Sequence, residues 1–283
     1  VSGAQRSAHM SKTRAPARRR RITVIDVAGP TLVCAAFLGF WYWLSYYGMA
    51  ERRRFLVPPI HEVIQDGFLD WKNLSVMLEA LWLTTQVALW GLGIAIGLGT
   101  TCAILMSQAR WIERSVWPYA VALQSIPILA LVPLLGILFN YSFNARVIVC
   151  IIMSIFPIIN NTLFGIQSVE TGHHDLFTLH HTSRLTRLRK LQLPAASPAI
   201  FAGFRISAGL SVIGAIVGDF FFRKGDKGIG ILLDQYAART TTIPRLYAAT
   251  ILAGALGYLV FSLFGLFTRV AIGKWHEAAD VPG

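Results

Sequence analysis

The chain alternates long apolar runs with short polar breaks. A helix that crosses a bilayer needs about 20 mostly apolar residues. Charge-free windows of that length run from Val27 to Ala50, Ala80 to Ala109, Ser115 to Ala145 and Val147 to Val169. A fifth run starts near Pro198 and reaches Phe222, interrupted by Arg205 and Asp219, and a sixth runs from Leu246 to Thr268. The pattern predicts an all-α fold, a polytopic transmembrane helical bundle with six transmembrane helices. Asn140 to Asn144 reads as the exit turn of the third span, and Pro127, Pro133 and Pro157 are expected to kink their helices.

These windows divide the chain. Residues 1–22 form a basic tail and 23–50 the first transmembrane helix. Residues 51–79 form an external loop with room for a short interfacial helix. Residues 80–272 form a core of five transmembrane helices, with a polar loop over 170–198. Residues 273–283 form a C-terminal tail. The run after the basic tail is too long for the apolar part of a cleavable signal.

Composition agrees: 54% of residues are hydrophobic and 14% charged, against about a quarter charged in a soluble domain. The net charge of +12 narrows to a topology statement once it is located. Arg6, Lys12, Arg14, Arg18, Arg19, Arg20 and Arg21 all lie before the first apolar run. A basic stretch there reads as a cytoplasmic anchor rather than a nucleic-acid contact. The other Lys and Arg split nine inside and ten outside, so the tail alone sets the orientation. The expected location is a bacterial inner membrane, multi-pass, with both termini cytoplasmic. Cys34, Cys102 and Cys150 lie within apolar runs without a CxxC pair and read as small buried hydrophobes.

The loop over 170–198 is long, polar and basic between two apolar runs, and such loops carry function more often than filler. Asp175 to Arg184 reads as a short amphipathic helix with Leu176, Leu179 and Ser183 on one face. A second basic helical stretch holds Arg187, Leu188, Lys190, Leu191 and Leu193, with Pro194 and Pro198 expected to break it before the fifth span. Two short helices joined by a bend could lie along the membrane and offer an apolar patch to a soluble partner.

This segment resembles the cytoplasmic loop of binding-protein-dependent ABC importer permeases. The family pattern is Glu-Ala-Ala, three residues, Gly, nine residues, Ile-x-Leu-Pro. Anchored on Leu191-Gln192-Leu193-Pro194, it places Asp175-Leu176-Phe177 at Glu-Ala-Ala and His181 at the glycine. The glycine normally permits the bend, so His181 must bend without it or the bend has moved. Ile126 to Leu134, Phe156 to Thr162 and Ile200 to Ile206 are similar to further family stretches. Together they look most like permeases of the nitrate, sulfonate and taurine group, which has members for thiamine-precursor pyrimidines and aromatic acids.

The resemblance implies a type I ABC importer permease-like fold. It implies a transmembrane permease subunit that forms the substrate pathway and couples it to a cytoplasmic ATPase. The implied substrate is a small organic anion or heterocycle of sulfonate, nitrate, aromatic acid or thiamine-precursor type. The implied partners are two cytoplasmic ABC ATPase subunits, an extracytoplasmic substrate-binding protein and a second permease copy, forming a homodimer in the lipid bilayer. ATP and Mg would be bound by the partner ATPase, with no cofactor and no metal in this chain. Asp175, Leu176, Phe177, Leu179, His180, His181, Arg184 and Pro194 would form the ATPase-coupling loop. Gln124, Ser125, Pro127, Asn160, Asn161 and Asp219 are candidate translocation-pathway residues.

Each candidate also has a plainer reading. Asp175 could be an acid on a helix dipole. The amide and hydroxyl residues could bond helix to helix. Asp219 could line the pathway or pair with Arg223 at i+4. His173, His174, His180 and His181 lack the i, i+4 spacing of helical metal ligands. No GxxxxGK[ST] phosphate loop occurs, since Gly273-Lys274 is followed by Trp275, so the chain is not itself the ATPase. Paired carboxylates, HExxH and a nucleophile elbow are missing from the spans, which argues against a membrane enzyme. The competing reading is an ATP-independent secondary transporter or channel, whose signature would be several intramembrane acids.

Overall fold

The computed structural model describes residues 24–222 and 227–272. Two compact units are present, one ending at Met49 and one starting at Ala50. The first holds α1 (Val24–Tyr46), an apolar helix with Pro30 inside it. Its aromatic residues pair along its own length, Phe37 with Trp41 and Tyr42 with Tyr46.

The second unit holds ten further helices among the described residues. A 3-10 turn (Glu51–Leu56) leads to α2 (Ile60–Val63), which runs on as a π turn (Ile64–Leu69). Then follow α3 (Trp71–Gln108), α4 (Arg110–Ser125), α5 (Ile128–Leu138) and α6 (Phe143–Gln167). The loop after α6 holds α7 (Thr171–Leu179) and α8 (Arg184–Arg187), joined by a π turn to α9 (Leu193–Phe221). The described residues end with α10 (Ile229–Ala237) and α11 (Ile243–Ile272). Five helices are long and apolar enough to cross a membrane, and the bent pair α4–α5 makes six if counted as one span.

Three differences from the sequence reading have physical causes. First, α3 begins at Trp71 and not near Ala80, so the last part of the expected loop is helical. Asp70 caps it, accepting the Lys72 amide at 3.0 Å and the Asn73 side-chain amide at 2.8 Å. Second, the third span is not one rod: α4 and α5 meet at 96°. Pro127 forces Ile126 into an extended conformation (ψ 127°), which ends α4, and then itself caps α5. Pro133 and Pro157 lie within helices that continue past them. Third, Pro194 and Pro198 do not separate the basic stretch from the fifth span. The π turn over Leu188–Gln192 widens the helix just before Pro194, which sits at its N-terminal end, so one helical run extends from Arg184 to Phe221.

The core is built on close approach of small residues, as expected where lipid supplies little hydrophobic drive between helices. The α6–α9 pair is the most extensive contact in the bundle. Gly203, Gly214 and Gly218 of α9 face Asn161, Cys150 and Arg146 of α6. Between them Ser207 donates to the Ser154 carbonyl at 2.7 Å, and Ser154 donates back to the Ser207 carbonyl at 3.3 Å. Ser211 reaches across to the Ala88 carbonyl of α3. Val87, Ala88, Leu92, Cys150, Ala208 and Val212 fill the space among these helices.

Candidate functional site

The loop after α6 is an angle of two short helices closed by hydrogen bonds. α7 ends in a Schellman motif: the His181 amide donates to the Thr178 carbonyl at 3.0 Å and the Thr182 amide to the Phe177 carbonyl at 3.2 Å. This closure needs a left-handed residue, and His181 supplies it at φ 47°. The bend therefore stands at the motif glycine position, and His181 makes it without glycine. A side chain in that conformation costs about 1–2 kcal/mol. His181→Gly is accordingly expected to raise stability by about 1 kcal/mol, read as a higher melting temperature of the purified protein with the loop otherwise unchanged.

Ser183 does not share the α7 face, because α7 has already ended. Instead it caps α8, accepting the Thr186 amide at 3.2 Å. Arg187 ties the two arms together by donating to the Thr178 hydroxyl at 2.9 Å. Among the described residues Leu176 and Leu179 stay 51% and 76% exposed, and Asp175, His180 and Arg184 are exposed beside them. Phe177 is half-buried. Pro194 lies at the start of α9, away from that apolar edge in sequence.

Asp219 sits at the other end of α9 and is fully buried. Arg223 lies outside the described residues, and the cation found beside Asp219 is Arg146 of α6, at 3.1 Å and itself 2% exposed. Thr84 of α3 hydrogen-bonds the Asp219 carboxylate, lies 3.0 Å from the Ala80 carbonyl, and accepts the Ile229 amide at 2.9 Å. The Gly230 amide also donates to Asp219. The first-turn amides of α10 thus find their acceptors on α3 and α9, as an otherwise orphaned helix N-terminus requires. A Cβ at Gly228 or Gly230 would collide with Asp219, so the glycines of this stretch admit the carboxylate. Four helices, α3, α6, α9 and α10, meet in this clasp. It lines none of the cavities described below.

The other pathway candidates fall in separate places. Gln124 joins Ile126, Met153 and Pro157 around a cavity of about 260 Å³ at the α4–α5 bend. Ser125 is exposed at that bend and donates to the Val121 carbonyl at 2.9 Å, with Pro127 exposed two residues on. Asn161 donates to the Pro157 carbonyl at 2.8 Å, a bond within α6 rather than between helices, and packs on Gly203 of α9. Asn160 is exposed in a second cavity between α4 and α6. The other charge inside the fifth span, Arg205, lies over the Phe261 ring of α11 at 4.2 Å.

The sequence reading missed Arg146. It stood between two apolar windows and was counted as an external loop charge. The usable signal was topological: the start of α6 and the end of α9 lie on the same side of the membrane, so an acid and a base there sit at equal depth.

Fold and site define a class: a helical membrane protein with five or six candidate spans and a hydrogen-bonded helical elbow after α6. Residues 93–274 match the family model described as "binding-protein-dependent transport system inner membrane component". The formylaminopyrimidine transport permease of Halalkalibacterium halodurans is 30% identical over 72% of this chain and 80% of its own. The bicarbonate transport system permease of Synechococcus elongatus is 31% identical over 77% of this chain and 75% of its own. In fold, the chain is similar to the inward-facing MetNI methionine ABC transporter, with a TM-score of 0.61 at 16% identity, over 71% of this chain and 98% of that one. The chain belongs to the binding-protein-dependent transport system inner membrane component family. It is a multi-pass membrane protein and the permease subunit of an ABC importer.

Proposed function

We propose that α7 is the coupling element through which a cytoplasmic ATPase drives this permease. The observation that carries the reading is the exposed Leu176–Leu179 edge on an elbow locked by His181 and by the Arg187–Thr178 bond. A rigid-body motion can be passed on only by a stiff element, and an apolar helical edge is what a groove accepts. Two ATPase subunits, holding ATP and Mg, would each receive one α7. This places the α7 end and both termini in the cytoplasm, in accord with the basic tail. The opposite end, with the Asp219 clasp and α10, would face an extracytoplasmic binding protein. A second copy of the chain would complete the pathway as a homodimer.

The substrate class proposed is a small organic anion or heterocycle. Relatives named for a formylaminopyrimidine, a heterocycle, and for bicarbonate, a small anion, support that reading. Gln124, Ser125 and Pro127 at the α4–α5 bend are the residues proposed to meet it. Asp219 is assigned to the clasp.

Reconstitution tests this. Vesicles holding the chain and its co-purified partners should take up substrate only with ATP and the binding protein, and a soluble ATPase should be recovered with the chain. Uptake that continues without ATP and follows an ion gradient would sink the coupling reading in favour of a secondary transporter.

A further inference from the structure

We infer that the cavity between α4 and α6, at the α7 end of the bundle, is a binding site for a phospholipid headgroup carrying both a phosphate and a primary ammonium, the phosphoethanolamine type. The cavity has a volume of about 440 Å³ and is lined by Arg110, Glu113, Arg114, Trp117, Asn160 and Gln167, with Phe164 at its apolar side.

Its three charges are placed for an occupant. Arg110 and Arg114 are four residues apart and so share one face of α4, a turn apart. Neither guanidinium joins an ion pair among the described residues. Glu113 is not paired with them either; one of its oxygens accepts the Gln167 side-chain amide at 3.0 Å. That contact holds the carboxylate toward α6 and leaves its second oxygen for a cation. A phosphate bridging the two arginines and an ammonium on Glu113 would satisfy all three charges at once. A purely anionic headgroup would leave Glu113 opposed to it.

The surroundings are those of a membrane interface. Trp111 is 71% exposed and Phe164 is 65% exposed. Aromatic side chains of this kind settle at the headgroup level, and basic pockets between membrane helices at that level take lipid headgroups. Acyl chains could then run along Phe164 toward the bilayer interior. The inference does not depend on α7 docking an ATPase, and its readout is lipid retention rather than transport.

The test is lipid counting. The full chain, with whatever partners co-purify, is placed in nanodiscs of equal phosphatidylethanolamine, phosphatidylglycerol and phosphatidylcholine. Retained lipid is then measured by native mass spectrometry. Wild type is expected to keep one phosphatidylethanolamine per chain in preference to the other two. Arg110→Gln with Arg114→Gln should lower that retention about twenty-five-fold, at about fivefold per arginine. Glu113→Gln should lose about fivefold for phosphatidylethanolamine while keeping phosphatidylglycerol. Arg110→Lys with Arg114→Lys should retain the lipid, separating charge from folding. Equal retention of all three lipids, preference for phosphatidylglycerol, or unchanged retention in the double glutamine variant would each overturn the assignment. So would displacement of the lipid by millimolar inorganic phosphate, which would mark a site for a free anion.

Discussion

Asp219→Asn should be the most damaging single polar substitution in this chain. It takes the Asp219 charge away from the Arg146 guanidinium, 2% exposed, and from the Gly230 amide of α10. Breaking a buried pair from one side costs about 3–5 kcal/mol. For a protein of this size that corresponds to a melting-temperature drop of roughly 10 °C, readable by fluorescence-detected size exclusion of detergent-solubilised protein during heating. Removing both charges with Asp219→Leu and Arg146→Met should recover most of the loss, because no charge is then left stranded. The double variant also separates the two roles weighed for Asp219. Normal uptake in the recovered protein marks a clasp. Recovered folding with uptake lost marks a pathway residue and overturns the assignment above.

The second large effect is expected at the other end of α9. Leu176→Ala with Leu179→Ala should leave the melting temperature unchanged, since both side chains are already exposed. If α7 seats in a partner groove, the same change removes two apolar anchors. The combined loss of roughly 3 kcal/mol corresponds to a drop in ATPase affinity on the order of a hundredfold. Co-purified ATPase should vanish and ATP-driven uptake with it. Full recovery of the ATPase with the double variant would show that α7 is not the coupling element. Stability separates the two experiments: the clasp substitution acts on folding, the elbow substitution on partnership.

What could be read from sequence divides along one physical line. Span number and the place of the elbow follow from local composition, since bilayer thickness fixes run length and a polar loop between two runs stands out. His181 could be flagged from spacing alone, as the residue replacing a glycine. Its left-handed backbone was a consequence of the helix needing to close there. By contrast, the 96° bend at Pro127 was read as a kink, because a proline's local effect does not say how far the following segment swings. The Asp219–Arg146 pair was missed because i, i+4 proximity to Arg223 offered a nearer partner, and helix-to-helix pairing needs tertiary knowledge. The continuity of Arg184 to Phe221 was missed because two prolines usually mean a break, and a π turn is not visible in composition.

That continuity has a mechanical consequence. A helix of this length is about 57 Å from end to end, with the elbow at one tip and the four-helix clasp near the other. If α7 seats in an ATPase as proposed, this run would act as a lever arm pushed at its elbow end. Tilted by about 5° around its middle, such an arm swings each tip by about 2–3 Å, enough to open or shut a gap the width of a small solute's outer atoms. Because Gly203, Ser207 and Gly214 bind α9 to α6 without slack, the arm would not swing alone but carry α6 with it. The stroke delivered at α7 would thus reach the far membrane face as displacement rather than being absorbed as bending along the way.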